Sequence, residues 1–192
     1  MPLTQRIQDQ FQASIQILAD AADTLAEPIG HAARIMTDCL LGEGKILACG
    51  VGPSGLAGQH LTAILTDRLE KDRPGLAAIA LRSDGAALVD EADPTQSFAR
   101  QVAALGHPGD VLLAFTTFGH ARGVLEAVRF AQERDMRVVA LSGGDGGMVA
   151  EILGEDDVLI CVPAESAPRI HEATLLAVHC LCDGIDYFLL GA

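Results

Sequence analysis

The stretch Lys45-Ile46-Leu47-Ala48-Cys49-Gly50-Val51-Gly52-Pro53-Ser54-Gly55 decides how the chain is read. Its first half is a short apolar run of the kind that fills a strand covered on both faces. Its second half is a glycine-rich turn with a proline placed to open a helix. Strand, turn and helix in that order begin a parallel β-α-β unit, and the same order recurs downstream. Ala77–Leu81, Asp110–Phe115, Arg137–Leu141 and Asp157–Val162 read as four further strands. Helical periodicity fills the intervals at Gln96–Leu105, Ala121–Arg134 and Met148–Leu153, and a long final helix is expected over Ser166–Leu189. The expectation is an α/β fold, a three-layer α/β/α domain with a doubly wound sheet of five parallel strands. Ligands in such a domain bind beyond the carboxyl ends of the strands.

Upstream, Ile7, Phe11, Ile15, Leu18, Ala22 and Leu25 recur at three- and four-residue spacing, which predicts an amphipathic helix over Thr4–Leu25. Pro28 suits the first turn of a second helix, closing near Leu41 before Gly42 and Gly44. A helical pair over 1–42 thus precedes an α/β core over 43–192, and no linker or repeat divides the 192 residues into more than a single domain. The pair precedes every strand, so it needs a sheet face or another subunit to cover it, and oligomerisation is its expected use.

Half the chain is hydrophobic (49%), enough for a full core, and 26 acids against 13 bases give a formal charge of −13. That balance excludes direct binding of nucleic acid through phosphates. It leaves room for a basic protein partner or for a small ligand held in a local positive pocket. No apolar run reaches ~18 residues, so no membrane span is expected. The opening MPLTQRIQDQF lacks the apolar centre of a secretion signal, and a cytoplasmic protein is expected. Cys39, Cys49, Cys161, Cys180 and Cys182 are odd in number and their closest spacing is C-x-C, so they read as reduced packing residues.

Three loops follow strand ends. Gly50–Gly55 opens a helix and offers backbone N–H groups to an anion, but its spacing is neither GxGxxG nor a P-loop. Thr116-Thr117-Phe118-Gly119-His120 brings two hydroxyls to the start of another helix, and Ser142–Gly147 carries four glycines. On spacing alone, ordinary capped turns explain all three loops as well as a phosphate cradle does.

Several segments resemble the SIS (sugar isomerase) family over nearly the whole chain. They are Lys45–Gly50 with Ser54, His60, Arg73-Pro74 with Ala78-Ile79-Ala80, Gly109–Leu113, Asp145-Gly146-Gly147, and Arg169-Ile170 with Glu172. The nearest branch is that of phosphoheptose isomerase and the DnaA initiator-associating protein. Ser14-Ile15-Gln16, Gln101-Val102, Ala104–His107, Arg134-Asp135-Met136 and Cys180–Asp183 with Ile185-Asp186 look like the second of these. The resemblance implies a flavodoxin-like SIS domain that assembles as a homotetramer, with clefts for a phosphosugar to which neighbouring subunits contribute. Carried over by position, its ligand-binding residues would be Ser54, Glu91, Thr116, Thr117, Gly119, His120 and His171, and its imidazoles for proton transfer would be His60 and His179.

The chain departs from that pattern at the chemistry. The isomerase's glutamate would stand four residues after His60, on the same helix face, and Ile64 stands there, after Ala63. Val51 replaces a substrate-touching asparagine, and Phe118 and Ala121 replace two serines of the phosphate loop, the first with a bulky ring. On this reading His60 and His179 are interior remnants of an older site. The expected function is a non-catalytic homotetramer that binds the replication initiator and promotes initiation. The alternatives are a sedoheptulose 7-phosphate isomerase of ADP-heptose and lipopolysaccharide synthesis, or a phosphosugar-binding sensor. No cofactor is required. Zinc is the one metal that His60, His171 and His179 would suit, although about 12 Å of helix between the last two opposes it within one chain. The closing Ile185–Ala192 is apolar, and Leu189 and Leu190 are candidate partner contacts, with burial inside the tetramer as the plainer reading.

Overall fold

A computed structural model describes residues 1–82 and 93–191. In chain order the elements are α1 (Leu3–Leu41), β1 (Ile46–Gly50), α2 (Pro53–Thr66), β2 (Ala78–Ala80), a short 3₁₀ turn (Pro94–Gln96), α3 (Ser97–Leu105), β3 (Val111–Phe115), α4 (Arg122–Gln132), β4 (Arg137–Gly143), α5 (Gly147–Ile152), β5 (Val158–Val162) and α6 (Ala167–Leu190). The five strands form one parallel sheet in the order β2-β1-β3-β4-β5, the expected doubly wound arrangement.

The strand sequences show why both faces must be covered. In β3 every residue is buried, and Val111, Leu113 and Phe115 face one core while Leu112 and Ala114 face the other. The first core joins the sheet to α1, α2 and α6 through residues such as Met36, Leu61, Leu65, Ile170 and Leu181. The second joins it to α3 and α4 through Phe98, Val102, Val124 and Val128.

The helical pair expected over 1–42 is instead one helix of 39 residues with Pro28 inside it. A proline in a helix interior removes one backbone hydrogen bond and strains the turn before it. Here Ala21 and Leu25 before it, and Ala32, Ala33, Ile35 and Met36 after it, are buried in the same core, so packing on both sides carries the helix through. By length and apolar composition α6 meets the requirement for a membrane span, which the run-length argument did not register. In the fold it packs on α1 and α2, with Ile170, Val178, Leu181 and Ile185 in the first core. All five cysteines are free: Cys39, Cys49 and Cys182 are packing residues, Cys161 is half-buried, and Cys180 lies on the surface rather than in a core. Burial pushes the Cys49 and Cys182 thiols up to about 12, leaving no reactive thiolate there.

Candidate functional site

At the carboxyl end of β1 the chain turns into α2 through Gly52, whose φ of +59° suits glycine. The Gly52 carbonyl accepts the N–H groups of Gly55 and Leu56 at 3.0 and 3.3 Å, and Pro53 opens the helix. This turn buries Ser54 and sets its Oγ 3.2 Å from Oγ1 of Thr117, on the loop after β3. Thr117 Oγ1 lies in turn 2.9 Å from Nε2 of His171, in the second turn of α6. Three separate elements are joined by one hydrogen-bonded string, Ser54–Thr117–His171.

The loop that carries Thr117 is braced from behind. Thr116 is buried and its hydroxyl accepts the Gly119 N–H at 3.1 Å, while the Gly119 carbonyl accepts the Val149 N–H at 3.1 Å. At Gly119 (φ +74°) a Cβ would stand 1.8 Å from the carbonyl oxygen of Gly146, so no side chain fits there. The glycines of Asp145-Gly146-Gly147 thus let the β4–α5 loop press backbone to backbone on the β3–α4 loop. Thr116 and Gly119, expected beside a phosphate, are placed as parts of this brace, and His120 is exposed with its ring beside Gly147. The Phe118 ring, expected to crowd the phosphate, lies near Gly144 and lines a separate groove of about 810 Å³ with Ile17, Pro163, Ala164 and Arg169. None of Ser54, Thr117 or His171 lines that groove.

A second contact crosses from α2 to α6. Nε2 of His60 lies 2.9 Å from Nε2 of His179, with the rings edge to face at 67°. One nitrogen donates a hydrogen and the other accepts it, so the two rings share a proton position. His60 is exposed and His179 half-buried, so neither is the interior residue expected from the sequence. One turn beyond His60, Ile64 is 8% exposed and packs into the first core. The three imidazoles do not converge: His171 sits on Thr117, more than two turns from His179 along a regular helix. Among the described residues no group of three or more His, Cys, Asp or Glu is placed to hold a metal ion. Glu91 lies outside the described residues. Leu189 is half-buried against the first core, so its contact is within the chain, while Leu190 is 46% exposed.

The N-termini of α2 and α4 (14 and 11 residues) both open at these strand ends. Their dipoles favour an anion locally despite the chain's charge of −13. The His60–His179 contact spans 119 residues and the Ser54–Thr117 contact 63, separations at which spacing in the sequence carries no signal.

A family model described as SIS domain matches residues 10–143. The phosphoheptose isomerases of Aromatoleum aromaticum and Thiobacillus denitrificans are each 52% identical to the chain over 194 aligned positions, covering 100% of it and 98% of their own length. The solved phosphoheptose isomerase of Neisseria gonorrhoeae superposes with a TM-score of 0.90 at 42% identity, over 96% of this chain and 99% of its own. That of Francisella tularensis gives 0.92 at 42% identity, over 97% and 99%. These full-length similarities overturn the reading of a non-catalytic module that gathers a replication initiator. They run to enzymes, and nothing in them points to replication.

Proposed function

The chain belongs to the SIS-domain phosphoheptose isomerase family, and from that premise we propose that it interconverts sedoheptulose 7-phosphate and the corresponding aldoheptose 7-phosphate. The observation that carries the reading is the His60–His179 contact at 2.9 Å, an acid–base pair on the two helices that flank the Ser54–Thr117–His171 string. Aldose–ketose exchange needs one group that takes a proton from carbon and returns it to the neighbouring carbon. Neutral imidazole does this near neutral pH without help from a carboxylate. One imidazole removes the C1 proton of the ketose, the C–H electrons become the C1–C2 double bond, and the C2 oxygen gains a proton from the partner ring. Return of a proton to C2 with loss of the O1 proton gives the aldose. Ile64 is a hydrocarbon where the family resemblance puts a glutamate, so the proposal assigns the transfer to the imidazoles. Ser54, Thr117 and His171, beside the N-terminus of α2, supply the polar surface for the substrate's oxygens.

The proposed assembly is a homo-oligomer, the tetramer that the resemblance implies. Leu3, Ile7, Phe11 and Ile15 are 73, 49, 67 and 57% exposed on the first turns of α1, an apolar stripe that a second copy would cover. A cytoplasmic site of action fits a phosphorylated sugar as substrate.

Purified protein incubated with sedoheptulose 7-phosphate in D₂O tests the function. The expected result is aldose 7-phosphate by ³¹P NMR, with deuterium appearing at the carbon that exchanges its proton. A bound phosphosugar with neither turnover nor exchange would reduce the protein to a sensor.

A further inference from the structure

A buried ion pair lies on the same helix seam as the two imidazoles. Arg73, on the segment after α2, and Asp186, on α6, have side chains only 2 and 3% exposed, and Arg73 Nε donates to Asp186 Oδ1 at 2.5 Å. The rest of the guanidinium is spent on the C-terminal end of α2 and on the carbonyl of the next residue, Pro74. Nη1 donates to the carbonyls of Leu65 (2.9 Å), Asp67 (3.2 Å) and Pro74 (3.2 Å), and Nη2 to that of Ile64 (3.3 Å). The last turn of α2 has no basic residue of its own, so Arg73 takes up carbonyls that the helix leaves unpaired.

The spacing connects this pair to the site. Asp186 stands seven residues after His179, two turns along and within about 20° of the same face of α6. Ile64 and Leu65 stand four and five residues after His60 on α2. Both helices follow parallel strands and advance in the same direction, so the seam between them carries two polar rungs. The first is His60–His179, and the second is α2 carbonyls–Arg73–Asp186. The Ile64 side chain, between the rungs, offers neither a hydrogen bond nor a charge to hold the helices in register; only its backbone carbonyl takes part, in the second rung.

We propose that Arg73 and Asp186 are positioning residues that fix α2 against α6 and thereby hold the His60 and His179 rings within proton-sharing distance. The catalytic part of this rests on the isomerase reading, but the geometric part does not. A planar guanidinium suits the role because it binds several acceptors at fixed angles at once, which a lysine ammonium does not. The proposed substrate contacts Ser54 and His171 lie in the first two turns of α2 and α6, at the other end of both helices from the second rung, and are tied to each other through Thr117. Loss of that rung should therefore slow proton transfer and leave binding nearly unchanged.

Asp186→Asn and the paired change Arg73→Met with Asp186→Leu test this. The second leaves no lone buried charge and keeps a fold that the first, with an unpaired guanidinium, can lose. Two readouts separate positioning from mere stability. The first is kcat against KM for sedoheptulose 7-phosphate, with kcat expected to fall at least tenfold and KM to stay within twofold. The second is the imidazole N–H signal shared by His60 and His179 in ¹⁵N-histidine NMR, expected to vanish or broaden in the folded variants. If parent protein shows no turnover, the isomerase reading fails, while the NMR signal still decides whether the rung sets the ring contact. Folded variants that keep the shared signal and the parent kcat, with at most a lower Tm, would overturn the proposal.

Discussion

At position 64 a side chain only 8% exposed sits one turn after His60, packed in the core and unable to accept a proton. The proposed reaction therefore assigns proton transfer to His60 and His179, whose Nε2 atoms are 2.9 Å apart. Changing either to Gln is expected to cut kcat by about 10²–10⁴, the usual worth of a positioned acid or base. The two rings act as one unit, so the double change should cost little more than the worse single change. Initial-rate kinetics on the three variants measures this, and losses that multiply would show independent roles. The histidines themselves were legible as chemistry-bearing residues, but their pairing was not. Thr116 and Gly119 were legible only in part, because a hydroxyl and a glycine in a strand-end loop suit a phosphate cradle and a self-braced turn equally well. The backbone contact of Gly119 with Gly146, which braces the loop, was invisible in sequence.

The strands were the most legible elements, because buried parallel strands are short and apolar throughout, and the order β2-β1-β3-β4-β5 follows from winding the sheet both ways from β1. Pro28 misled because proline favours the first turn of a helix, and only the burial on both sides of it shows that α1 continues. At the amino ends of the strands, opposite the site, Asp110 ties β3 to β1. It is 3% exposed and accepts from Lys45 Nζ (2.6 Å), Lys45 N (2.9 Å) and His107 N (2.8 Å). Burial by itself would raise its carboxyl, but these donors outweigh burial and hold it below the usual aspartate value. A carboxyl lower in the folded than in the unfolded chain contributes stability above the unfolded value of about 3.9, and that contribution is lost as pH falls through the folded value. Asp110→Asn should therefore lower Tm at pH 7, by about 4–10 °C if charged hydrogen bonds worth about 1.5–3 kcal/mol are lost. The gap from the parent should close as pH drops below about 4. Thermal melts from pH 2.5 to 7 check it, and a gap that stays constant across that range would remove the carboxylate from the explanation.

Taken whole, the molecule sets a charge of −13 against a long, exposed apolar stripe. Like-charged copies repel, so they associate only where buried apolar area outweighs the repulsion. The first turns of α1 carry that area in Leu3, Ile7, Phe11 and Ile15, and an isolated helix end of this length is marginal in water without a partner. The same half of α1 is tied to the site. Arg169 Nη1 donates to Ser14 Oγ (2.5 Å) and to the Gln10 carbonyl (2.7 Å), and Ser14 Oγ donates to Glu172 (2.9 Å). Arg169 and Glu172 flank His171 on the first two turns of α6, so the proposed assembly surface and the proposed substrate surface share one helix start. Phe11→Asp with Ile15→Asp adds charge to the stripe without touching those bonds. The parent is expected to run as a multimer in light scattering and the variant as a single chain, with a loss of kcat/KM as the braced start of α6 loosens. Raising salt should tighten the parent assembly, because it screens the acidic repulsion and leaves the apolar contact intact. A parent that is a single chain at every salt concentration, or a variant that keeps both mass and activity, would show that α1 serves this fold alone.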